Sequence, residues 1–272
     1  MIEKNAALIE DMLGPNDTVL DIGAWHIPYW RADHVVDLLP YETRGHGGCI
    51  KGNQPRERFS KDTWTIWDIC SNRPLPFPDK AFDFVVCSHT LEDIRNPIQA
   101  CHEIIRVGKR GYIEIPSRLL ESTIGVESNR YTGFYHHRWL IDVVDEGPGT
   151  EMVFQFKPHC IHESFRYHLP RRFIRGKSLD ELSTWFFWEG EFKFREVANV
   201  SHVRVRAELE QFVRRHEAYS PWRYRVDDAC RPLSWRRVSR RVYRLVVAGR
   251  SAPGERQSHE QFWARVEGVD LR

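Results

Sequence analysis

Five short apolar runs, separated by helical or turn-like segments, constrain this chain more than any other feature. They are "TVLDIG" (18–23), "HVVDLL" (34–39), "TWTIWDI" (63–69), "FDFVVCS" (82–88) and "YIEIP" (112–116). Each is mostly apolar rather than alternating, the pattern of a strand buried on both faces in a parallel sheet. Residues 5–13 read as a helix ended by Gly14-Pro15. "NPIQACHEIIRVG" has apolar residues at helical intervals and a proline near its start. Strands alternating with helical segments predict an α/β fold, a Rossmann-like doubly wound sheet that is mostly parallel.

The pattern then changes. "RWLIDVV" and "MVFQFKP" flank the turn signal "DEGPGTE" and read as an antiparallel hairpin, expected to close the sheet by about residue 158. This gives a core over residues 1–160 and an α-rich C-terminal extension over 161–272, supplying acceptor-pocket or lid elements and a basic helix. Within the extension "ELEQFVRRHEAY" reads as helical, and "STWFFWEGEF" reads as either a pocket wall or a core strand. "GHGGCIKGNQPRER" (45–58) reads as an exposed loop.

Composition narrows the class. Of 272 residues, 41% are hydrophobic and 29% charged, which excludes a disordered chain. No apolar run approaches the roughly 20 residues of a membrane span. The start "MIEKNAALIEDML" has acids where a signal peptide has its apolar centre. The six cysteines form no CxxC pair and read as reduced thiols, so a cytoplasmic location is expected. Net charge is only +2, but "RPLSWRRVSRRVYRLVVAGR" (231–250) holds seven arginines and no acid. It reads either as a solvated basic helix or as a contact for an acidic partner, nucleic acid or membrane surface.

Two acids stand where a nucleotide-like ligand would use them. Asp37 ends the second strand, 16 residues after Asp21, and an acid there can accept both ribose hydroxyls. In dinucleotide folds the corresponding distance is about 20 residues. Asp68, near the end of the third strand, can accept from an adenine amino group.

The most specific stretch is "PLPFPDKAFDFVVCSHTLEDIRNPIQACHEIIRVGKRGYIEIPSR" (74–118). It resembles the class I S-adenosylmethionine-dependent methyltransferases, in particular the broad group with "LPF-D--FD-V-----LEH---P-----E--RV-K-GG". Pro76, Phe77, Asp79, Phe82, Asp83, Val85, Leu91, Glu92, Pro97, Glu103, Arg106, Val107, Lys109 and Gly111 fit that pattern. "VLDIG" lies at the right distance upstream, and the resemblance covers about residues 16–118. Three departures stand out: Asp93 replaces the usual His, Tyr112 replaces the second Gly, and the first loop has only Gly23. Pyrophosphate needs repeated glycines at a helix N-terminus, whereas S-adenosylmethionine carries no phosphate and needs an acid, some carbonyls and one close backbone approach.

The resemblance implies S-adenosylmethionine as cofactor. Asp21, Gly23 and the carbonyls around Ala24 would hold its amino-acid end, Asp37 its ribose and Asp68 its adenine, with Trp25, Leu38 and Ile69 as further cofactor-binding residues. Ser88 and His89, which follow the fourth strand, are also expected at the cofactor, on the side that faces the acceptor. Trp25 or Tyr29 would either face the sulfonium or fill the gap left by a shortened first crossover. Acceptor-facing residues are expected in Arg118, Tyr135 and Arg138, with one of the adjacent His136 and His137 as general base. His159, His162 and His168 invite a metal reading, but their spacing matches no compact motif and no metal is expected.

The function expected is methyl transfer to a small-molecule or peptide acceptor, at oxygen, in specialised metabolism. A nucleic-acid methyltransferase using the basic helix is disfavoured by the balanced charge, and a non-catalytic binding module is the third alternative. A homodimer is left open.

Overall fold

The computed structural model describes residues 1–45, 50, 54–145 and 149–230. Its elements in chain order begin with α1 (Glu3–Met12), β1 (Val19–Ile22), β2 (His34–Asp37), β3 (Trp64–Ile66), β4 (Phe84–Ser88), α2 (Pro97–Val107), β5 (Arg110–Pro116) and α3 (Arg118–Glu121). They continue with β6 (Trp139–Asp145), β7 (Thr150–Phe156), α4 (Leu179–Leu182), β8 (Ser183–Glu189), β9 (Lys193–Val197), α5 (His202–Arg215) and α6 (Pro221–Cys230). The basic stretch 231–250 and most of the tip of the 45–58 loop lie outside the described residues.

The main sheet has the order β3-β2-β1-β4-β5-β8, parallel except for β8. This is the Rossmann-like sheet expected from the sequence. β1 and β4 are buried along almost their whole length, which explains their unbroken apolar sequence. α2 starts where the Asn96 side chain accepts from Gln99 N at 3.1 Å, with Pro97 in the first turn. It buries Ala100, Cys101, Ile104 and Val107 against β4 and β5 in the main core.

The hairpin forms as expected, β6 against β7, but it does not close the main sheet. It builds a second sheet of order β6-β7-β9, in which β9 runs parallel to β7. The closing edge is β8, the "STWFFWE" segment, which pairs with all seven residues of β5 from Arg110 to Pro116. That segment is therefore a sheet strand, taken from beyond the expected core boundary at 160. Trp139, Ile141, Met152 and Phe154 of the second sheet share one apolar cluster with Ile113, Phe186 and Trp188 of the first.

One connection departs from the usual parallel crossover, which carries a helix. Residues 23–33, between β1 and β2, contain none. Carboxylates bind the backbone there instead. Asp21 Oδ2 accepts from Tyr29 N at 2.7 Å, Asp37 Oδ2 from Trp25 N at 2.9 Å, and Asp33 Oδ2 from Val19 N at 2.9 Å. Tyr29 is buried in the cluster of Ile9, Val19, Val35 and Tyr112, filling the space a crossover helix would take. Of the two readings of Tyr29, the structure shows the filler.

Candidate active site

The C-terminal ends of β1, β2, β4 and β5 lie side by side because the strands are parallel and in register. Whatever the sequence places just after them is collected on one edge, the usual ligand edge of an open α/β sheet. Gly23 has φ of +74° and donates its N–H to Val36 O at 2.9 Å. A Cβ at Gly23 would stand 2.2 Å from Thr90 Oγ1. The close approach expected at Gly23 is thus made by Thr90, whose hydroxyl lies 3.3 Å from the carbonyl oxygens of both Ile22 and Gly23.

The strand-end acids are real features of that edge. Burial is the main influence on Asp21 and lifts its carboxyl to about 7, against the opposing pull of the Tyr29 amide. Asp37 is also raised by burial; its two oxygens accept from Trp25 N and from Leu39 N at 2.8 Å. Beside it Leu38 is 63% exposed, a large apolar side chain left in solvent at the strand end. Ala24 and Ile69 are buried, and Trp25 donates its indole N–H to Thr43 Oγ1 at 3.0 Å. Asp68 accepts from Cys70 N at 2.8 Å and from Arg95 Nη2 at 2.8 Å, so its outer oxygen is already engaged.

Beyond β4 and β5 the polar residues join into a chain. Ser88 Oγ donates to Glu114 Oε1 at 3.3 Å. His89 sits in the left-handed backbone region, at φ +53°, and directs Nε2 to Glu114 Oε1 at 2.9 Å and Nδ1 to Glu92 Oε1 at 3.5 Å. Burial alone would lower the imidazole's pKa, but the two carboxylates together raise it to about 9. Glu92 is fully buried, and neither carboxylate oxygen has a hydrogen-bond partner. On its other side His137 Nε2 lies 4.0 Å from Glu92 Oε1, while His137 Nδ1 meets Glu121 Oε1 at 2.8 Å.

Glu121 is the hinge of this group. Its second oxygen accepts from Lys157 Nζ at 2.8 Å, and Lys157 donates further to Thr132 O at 2.6 Å and Phe134 O at 3.1 Å. Gly133, at φ +57°, allows the loop to lie this close, because a Cβ there would stand 2.4 Å from Glu121 Oε2. The segment "YTGFYHHRW" is thereby fastened from below by Lys157. It is fastened at its end by Glu92 O, which accepts from Arg138 N at 2.7 Å and Trp139 N at 3.1 Å.

The fastened segment forms one wall of a cleft of about 420 Å³. Tyr135, His136, His137 and Arg138 all line it, with His159 and His162 opposite them in sequence and Asp93 from the post-β4 turn. Of the two adjacent histidines, His137 is turned inward and His136 is exposed. Arg118 does not join them: its guanidinium bonds Asp142 at 2.9 Å and Gln155 at 3.1 Å on the second sheet. His168 is buried and pairs with Ile161 O at 2.9 Å. Among the described residues no three His, Cys, Asp or Glu side chains converge as metal ligands. No helix among them is long and apolar enough to cross a membrane.

Thr90, Glu92, Glu114, Glu121 and Lys157 carry no site role in the sequence pattern, although Glu92 fits the family motif. One signal was legible: a lysine in the otherwise apolar "MVFQFKP" must bring a partner with it if buried.

Residues 53–113 match a family model described as a methyltransferase domain. No curated protein matches the chain. Similar solved structures include the YcgJ protein from Bacillus subtilis, at 21% identity over 43% of this chain and 52% of that one, with a TM-score of 0.32. Another is a SAM-dependent methyltransferase from Aquifex aeolicus, at 16% identity over 43% of this chain and 65% of that one (TM-score 0.30). A third is an S-adenosylmethionine-dependent methyltransferase from Mesorhizobium loti, at 13% identity over 56% and 63% (TM-score 0.31). The chain spans about half the length of the first of these. The match to the methyltransferase-domain model runs from before β3 into β5, through the strand ends where Asp68, Ser88 and His89 stand.

Proposed function

We propose that the chain transfers a methyl group from S-adenosylmethionine to a hydroxyl or amine of a small-molecule or peptide acceptor held in the cleft, with His137 as general base. The residues at the strand ends suit the cofactor. Each Asp37 oxygen has spent one lone pair on a backbone amide and keeps another for a ribose hydroxyl. Leu38 offers an exposed apolar face for the adenine. A loop with one glycine and no helix behind it has no cradle for pyrophosphate. Bound there, S-adenosylmethionine supplies an activated methyl group with its leaving group already in place.

The observation that carries the reading is the His137–Glu121 contact at 2.8 Å. Burial alone would raise the Glu121 carboxyl, but His137 and Lys157 hold it below the usual range, so it is ionised. An ionised carboxylate only accepts, so Nδ1 of His137 carries the proton and Nε2 is left as the acceptor. As the acceptor oxygen or nitrogen attacks, its proton passes to Nε2, and the imidazolium that forms lies between Glu121 and Glu92. Oxygen is the preferred methylated atom within this proposal, supported by how common O-methylation is in the group the sequence resembles, and specialised metabolism is its proposed setting.

The test is turnover, read as S-adenosylhomocysteine released with a panel of phenol and amine acceptors. His137→Ala should lower it by about 10²–10⁴-fold, the usual contribution of general-base catalysis. His136→Ala should stay within a few fold, and neither should change S-adenosylhomocysteine affinity. Equal losses in both variants, or none in His137→Ala, would refute the assignment.

A further inference from the structure

The walls of the cleft carry more information than its position. Tyr131, Phe134, Tyr135 and Phe156 present aromatic surface to it, and a volume of about 420 Å³ is that of a site for a small molecule of one or two rings. The polar groups among them are mostly donors. Lys157 has spent its ammonium on Glu121 and two carbonyls, and Asp93 is the acid of the lining.

Arg138 differs from every other cation there. Its backbone is fixed, since its N–H donates to Glu92 O at 2.7 Å. Its guanidinium makes no ion pair with a carboxylate among the described residues, although twelve other arginines there do. A rooted side chain with a free planar fork is suited to a carboxylate or phosphate. His162 adds a second donor. Its Nδ1 accepts from Thr132 N at 3.2 Å, which leaves the ring proton on Nε2. Burial above all, with Lys157, His168 and His159, brings its pKa down to about 4, so the ring stays neutral and this tautomer persists.

We infer that the acceptor is a ring compound bearing a carboxylate, its acid group held by Arg138 and His162 and its ring laid against the aromatic wall. The inference rests on the proposed function for the word acceptor; the binding itself does not. A neutral ring would leave the Arg138 fork unused, and a cationic one would meet the Arg138 guanidinium, which no carboxylate pairs among the described residues. Aromatic acids and sugar acids share this chemistry, and the experiment separates them.

Calorimetry on the full chain, with and without S-adenosylhomocysteine, would use 4-hydroxybenzoate and glucuronate beside their neutral counterparts 4-hydroxybenzamide and glucose. One acid should bind at least about tenfold tighter than its neutral partner, and which one does assigns an aromatic or a sugar ring. Arg138→Gln should remove that advantage while S-adenosylhomocysteine affinity and the thermal midpoint stay as they were; the side chain is exposed, so the fold does not depend on it. Equal binding of acid and neutral probes, no binding by either acid, or an advantage that survives Arg138→Gln would overturn the inference. Because S-adenosylhomocysteine is titrated into the same samples, failure of the cofactor reading would be seen separately.

Discussion

Replacing Lys157 by Met tests whether the acceptor wall is held together electrostatically. The side chains of Lys157 and Glu121 are only 7% and 2% exposed. Removing one partner of a buried ion pair costs about 3–5 kcal/mol, because the other charge is left without compensation. Here Glu121 would keep only His137, and Thr132 O and Phe134 O would each lose a donor. Hydration from the neighbouring cleft returns some of that loss, so about 4 kcal/mol is expected for Lys157→Met. The informative variant is the double one. Lys157→Met with Glu121→Gln removes the stranded charge while keeping a side-chain oxygen for His137, and should cost about 1–3 kcal/mol, the scale of the unpaired polar groups that remain. Equilibrium urea unfolding followed by tryptophan fluorescence reads both values. A single variant costing under about 1 kcal/mol, or a double variant costing the sum of its parts, would refute the argument that the pair stabilises the wall.

Two further outcomes follow from the strand ends. Asp37→Ala should weaken S-adenosylhomocysteine binding by about 1.5–3 kcal/mol, the scale of hydrogen bonds to a charged acceptor, or roughly 10- to 150-fold in calorimetry; an unchanged dissociation constant would remove Asp37 from the site. His89 has a folded pKa of about 9 against an ordinary 6.5, so its contribution to stability is full below pH 6.5 and is lost as the pH rises through 9. The ring is 38% exposed and solvent screens the pairing, which brings the expected loss to about 1–2 kcal/mol. Thermal midpoints from pH 6 to 10 should show that loss in the parent protein and not in His89→Asn, a residue that also tolerates the left-handed backbone.

The main sheet was legible because its strands are buried on both faces, and such burial writes itself into a run such as "FVVC" without reference to any partner. The hairpin was legible for the same local reason, through "DEGPGTE". Which sheet it joins was not, because β5 pairs with β8 about seventy residues further on, and nothing in "STWFFWE" names its partner. At the candidate site, Asp37 could be picked out from its position after a strand, and His136 and His137 only as a pair, because adjacency alone does not say which of the two turns inward. Glu121 could not, because it reaches His137 across 16 residues of irregular chain. Arg118 misled for a related reason: it follows β5 as an acceptor-facing residue would, yet the second sheet brings Asp142 and Gln155 to it.

The contact between Thr90 and Gly23 bears on how variants of this chain are to be interpreted. A glycine beside a strand-end acid is commonly taken as a report on ligand binding, yet enlarging this one first sets the protein against itself, because the added methyl would overlap the Thr90 side chain. Positions 23 and 90 are therefore locked as a couple. A side chain at the first needs both a smaller residue at the second and a backbone that accepts φ of +74°, so loss of function after changing Gly23 alone speaks first of crowding and strain between two turns.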